Sequence, residues 1–237
     1  MGQIESPELR PHLQLGALAL LVVSSAAAGA AAGFAFDATR GYLDPEVKSG
    51  AASEEQIRQG MELHQAVSRR GSALGAGCGG AIIVGVFGLA VGLLTHSTAR
   101  AGLGLVYGAA LGAAFGAISG YVTQEISEYA ISNSMPSTTS HFIISIAFWL
   151  GIGIAAQGTF ILAGSRRLST DEWMMWPVLG AVLAAVLTPI LATVAFPVDF
   201  KGRIPPVEKA ESYFVGTVGA ALLAMGTGMG FRETDQS

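Results

Sequence analysis

Charge is what this sequence has least of. Of 237 residues, 13 are Lys or Arg and 17 are Asp or Glu, so 13% carry a charge, about half the share in an average soluble domain. The net charge of -4 offers no basic face for a phosphate backbone and argues against a nucleic-acid-binding domain. One cysteine, Cys78, cannot close a disulfide framework. The chain holds no GxxxxGK phosphate loop, no GxSxG elbow, no HExxH and no CxxC, so the common catalytic signatures are missing and an enzyme is not expected. Disorder is excluded from the other side, because 51% of the residues are hydrophobic.

The missing charge is missing in particular places. Six runs contain no Asp, Glu, Lys or Arg at all: Leu13–Phe36, Ala73–Thr95, Ala101–Val122, His141–Gly164, Trp173–Phe196 and Tyr213–Phe231. A helix rising 1.5 Å per residue needs about 20 apolar residues to cross a hydrocarbon layer of about 30 Å, and each run is near that length. None alternates apolar with polar as a membrane β-barrel strand does. The expectation is an all-α, polytopic integral membrane bundle of six transmembrane helices, forming one domain. The first run is not expected to be a cleaved leader: Glu5 and Glu8 precede it, and it exceeds the usual 7–15 apolar residues of a signal.

Between the first two runs, Ser53 and Gln56 have capping-box spacing, Glu54 and Glu55 open the pattern and Arg69-Arg70-Gly71 closes it. Acid at the start, base at the end and glycine beyond are what helix termini favour. An amphipathic interfacial helix is expected over residues 54–70, with Ile57, Met61 and Val67 on its apolar side. The connection Thr95–Arg100 is short enough to make the second and third spans an antiparallel hairpin. Short basic connections at Arg100 and at Arg166-Arg167 favour cytoplasmic termini in a plasma or inner cell membrane.

What the chain has in excess is small residues: 32 Gly and 38 Ala, about 30% of all positions. They recur every fourth residue. The third run carries Gly104, Gly108, Gly112, Gly116 and Gly120; the sixth carries Gly216, Ala220, Ala224 and Gly228. In lipid, helices gain nothing hydrophobic by meeting, so close backbone approach across such stripes drives association. A glycine zipper is therefore expected, within the chain, with a second copy or with a protein partner. Gly151–Gly164 and Gly180–Thr193 match at seven of fourteen positions, which sequences drawn from so few residue types reach by composition alone.

Ionisable groups at membrane mid-depth mark proton relays and coupled ion paths, and these runs have none. The polar groups at depth are few. Gln157, Thr159 and Thr188 are the candidates for a polar path or for interhelical hydrogen bonds, and Pro189 is the candidate helix kink. His64 and His141, with Glu125 and Glu128, would share one side, but without ligand spacing inside a helix no metal is expected. No cofactor is expected either. Two functions fit: a structural or partner-binding component of the lipid bilayer, or a passive channel or carrier for a small neutral solute.

Overall fold

A computed structural model describes residues 11–40, 54–94, 97–163, 176–196 and 209–233. These form six α-helices and no strand: α1 (Pro11–Arg40), α2 (Glu54–Leu94), α3 (Thr98–Ser132), α4 (Ser137–Ala163), α5 (Trp176–Ala195) and α6 (Lys209–Glu233). Five of them are long and apolar enough to cross a membrane. Each of the six uncharged runs coincides with one helix. Trp173, expected to open the fifth span, lies outside the described residues.

The expected interfacial helix is not a separate element. Residues 54–70 and the second span form the single 41-residue α2, and Gly71 continues the helix where it was expected to end it. The reason lies in α3. Arg69, read from sequence as a basic helix end, is instead held by two carboxylates across the hairpin, and Ser72 packs on Gly120 immediately beyond. At 1.5 Å per residue α2 is about 62 Å long and α3 about 53 Å, well beyond the hydrocarbon thickness of about 30 Å. The hairpin is therefore longer than any bilayer core it enters.

Its two ends are capped differently. Ser97 opens α3 with extended backbone, and its Oγ accepts from the Arg100 N–H. At the other end the Met135 N–H donates to Ala130 O and the Ser134 N–H to Ile131 O, the paired bonds of a Schellman terminus. Ser134 takes the left-handed position (φ 50°) usually given to glycine. Pro136 then forbids continuation. This leaves a connection of only residues 133–136 between α3 and α4.

Packed neighbours follow chain order, α1 through α6, and α6 returns to α1, with α2 also touching α4 across the interior. The middle of this ring is filled. Phe87, Ile83, Trp149, Ile152, Leu21 and Leu223 are almost wholly buried there. Phe148 meets Trp149 edge-on at 5.3 Å and Phe36 at 6.1 Å, within the range where aromatic pairs add to burial.

Candidate functional site

The most extensive contact in the bundle is between α2 and α3. A Cβ added to Gly108, Gly112, Gly116 or Gly120 would fall inside 3.0 Å of backbone of, respectively, Val84, Gly80, Ala76 or Ser72 of α2, and one added to Gly88 of α2 would meet the backbone of Gly104 in the same way. The two residue numbers of every pair sum to 192 (104 and 88, 108 and 84, 112 and 80, 116 and 76, 120 and 72). Both helices thus advance one rung per four residues, in opposite directions, from the turn near residue 96. The α2 side of this contact is Ser72, Ala76, Gly80, Val84 and Gly88, of which sequence periodicity picks out only Gly88.

α6 uses its small residues twice. Gly216 lies against Gly29 of α1, and Gly33 of α1 against Ser212. On another face, Gly226 approaches Gly180 of α5 and Gly219 lies flat beneath the Trp149 ring of α4. Ala220 and Ala224 are fully buried. Gly228 lies among residues whose side-chain surroundings are not described.

The same hairpin register brings together a charged cluster. Arg69 of α2 lies 2.8 Å from Glu125 Oε1 and donates through Nε to Glu128 Oε2 at 3.2 Å, with its Nη2 on the same carboxylate. Gln124 Nε2 donates to Glu128 Oε1, and the Ser72 hydroxyl to Gln124 Oε1. Counted from the turn, Arg69 is 28 residues along, about 42 Å, which is past the far edge of a 30 Å core. A two-carboxylate, one-guanidinium cluster is charge-assisted and geometrically specific. It fastens the two helices just beyond the last small-residue rung, Ser72 against Gly120. The signal for it was available in the sequence: reflecting residue 69 about the Thr95–Arg100 turn gives residue 126, between Glu125 and Glu128.

Of the polar groups expected to line a path, Thr159 is fully buried, its hydroxyl donates to Ala155 O at 2.8 Å, and its methyl faces Gly88 of α2. Gln157 has a buried Oε1 with no hydrogen-bond partner among the described residues, and the buried Thr188 hydroxyl has none either. The structure does not gather these three. Gly153 against Ala181 and Pro177 fixes the α4–α5 register. That register puts Thr188 level with residues 144–146 of α4, about 17–20 Å in depth from Gln157. Pro189 is buried within a helix that runs on to Ala195.

Among the described residues no group of three or more His, Cys, Asp or Glu side chains is placed to hold a metal ion. Glu125 and Glu128, read beside His64 and His141, are engaged by Arg69. Cys78 is a free, half-buried thiol on α2. No known protein family, no curated protein and no solved structure matches the chain.

Proposed function

We propose that this chain is an integral membrane protein, with all six helices spanning, that serves as a structural or partner-binding component of its membrane. The observation that carries the reading is the interior. Large side chains fill the centre of the ring, Trp149 and Phe87 foremost, while glycine faces bring backbones into direct contact around it. Such packing favours a rigid scaffold over a solvated passage, and the small-residue stripes act within the chain as a glycine zipper. Even-numbered spans put both termini on one side, which the short basic connections assign to the cytoplasm of a plasma or inner membrane. Contact with a partner falls to the end of α2 beyond Arg69, where Arg58, Glu62 and Leu63 are exposed. No catalytic role forms part of the proposal.

The second reading, a passive channel or carrier for a small neutral solute, draws on the buried unpartnered oxygens of Gln157 and Thr188. Proteoliposomes holding the purified chain distinguish the two. Osmotic swelling in glycerol, urea and small sugars should match protein-free vesicles. Solute entry that rises with the amount of protein overturns the scaffold reading. In its favour would be a stoichiometric partner retained from native membranes and lost when Arg58, Glu62 and Leu63 are replaced.

A further inference from the structure

Hydroxyls buried in a helical bundle usually satisfy themselves by donating back to the carbonyl three or four residues earlier. Thr123, Thr159, Thr193 and Thr227 all do so, to Gly120, Ala155, Pro189 and Leu223. Ser25, Ser145 and Thr188 do not. Each is 1% exposed, and each Oγ is without a partner among the described residues, as is the indole Nε1 of the fully buried Trp149.

These four exceptions converge. The Trp149 ring lies on Gly219 of α6, and Ser145 is one turn away on the same face of α4. Thr188 is level with residues 144–146 of α4 by the contact of Gly153 with Ala181 and Pro177. It is level with residues 215–218 of α6 by the contact of Gly180 with Leu223 and Gly226. Ser25, one turn from Gly29 opposite Gly216, is level with Ala220. Three helices therefore present unpaired polar groups around the Gly216–Ala220 segment of a fourth. Beside them Pro189 has no N–H to return to the carbonyl of Ala185, which adds an acceptor one turn from the Thr188 hydroxyl.

Leaving so many donors and acceptors unpaired in a low-dielectric interior incurs their full desolvation cost, and a buried water commonly makes about three hydrogen bonds to such groups. We propose that the α4–α5–α6 wedge is a binding site for structural water. It accepts from the Trp149 indole N–H and from the Ser145 hydroxyl, and it donates to the Thr188 oxygen or to the Ala185 carbonyl. Ser25 closes the site on its α1 side. The ligand class is a small uncharged molecule with both donor and acceptor capacity. Glycine on α6 makes room for the indole that lines the site, since any side chain at Gly219 would enter the ring.

The test uses the full chain in lipid nanodiscs, with Trp173→Phe and Trp176→Phe leaving Trp149 as the one tryptophan of three. With 15N-labelled indole, magnetisation transfer from water to the Trp149 Nε1–H is expected. Thr188→Val should cut that transfer at least two-fold, and Thr188→Ser should restore it. A visible indole proton that receives nothing from water overturns the proposal, as does a Thr188→Val protein with unchanged transfer. Should the valine variant fail to fold, Ser145→Ala serves the same comparison. A parent spectrum without transfer overturns the proposal on its own.

Discussion

Gly112 and Gly102 lie on the same helix, ten residues apart, and should answer an added methyl group in opposite ways. Intrinsic propensity favours Ala over Gly by up to about 1 kcal/mol at either position. At Gly102 nothing lies within 4 Å of the new Cβ, so Gly102→Ala should keep that gain. At Gly112 the Cβ would stand inside 3.0 Å of both the carbonyl oxygen and the carbonyl carbon of Gly80. Those are backbone atoms of a neighbouring helix, and no rotamer can move them away. The hairpin must open locally by half an ångström or more, and a gap of 0.5–1 Å already forfeits a quarter to a half of a dispersion contact. Overpacking of this kind costs about 1–3 kcal/mol. Since the propensity gain is common to both variants, Gly112→Ala should be less stable than Gly102→Ala by about that amount. Reversible unfolding in mixed micelles, followed by circular dichroism, measures the difference. In the double variant Gly80→Ala/Gly112→Ala the two methyls share one gap, so the losses should fall short of additive. A Gly112→Ala protein as stable as Gly102→Ala would refute the backbone contact between α2 and α3.

Gly219→Ala puts its methyl into the buried Trp149 ring, and a loss of about 1–3 kcal/mol is expected in the same unfolding assay; no loss would mean the ring is free to move. Replacing Arg69 by Gln removes the cation between Glu125 and Glu128. Amide exchange should then rise in α2 before residue 69 and in α3 after residue 125, with exchange between Gly80 and Gly112 unchanged. Exchange that rises uniformly would contradict a local fastening. Leu63 is 59% exposed, so Leu63→Ser should shift stability by no more than about 0.5 kcal/mol, and a larger shift in micelles would mean that it packs.

Hydropathy made the six helices legible, because each uncharged run needed a hydrogen-bonded spanning segment. It could not find their ends. A hydropathy window stops at Glu125 and at Arg70, but a helix does not. Where two helices pack side by side, charges of opposite sign across the hairpin allow both to continue past the apolar layer. The same neighbourhood misled the helix-end reading at Arg69-Arg70-Gly71, whose composition suits a terminus and whose tertiary partner makes it an interior. The glycine ladder of α3 was legible as a stripe. Its partner was not, since Ser72, Ala76, Gly80, Val84 and Gly88 include a valine and a serine that break the glycine pattern while keeping the four-residue spacing. The four polar groups around Gly216–Ala220 come from three different runs, and only Ser145 and Trp149 are linked by a spacing within one helix.

The two kinds of interface in the bundle differ in what they ask of the chain's freedom. Gly and Ala have no side-chain torsions to immobilise, so of the residues on the five rungs of α2 and α3 only Val84 and Ser72 give up rotamer freedom. Trp149 must give up both of its torsions to lie on Gly219, and Phe36, Phe87 and Phe148 do likewise. Order in this molecule therefore has an uneven origin: the rungs of the hairpin draw mostly on residues with no torsion to give up, and the centre on rings that give up two each.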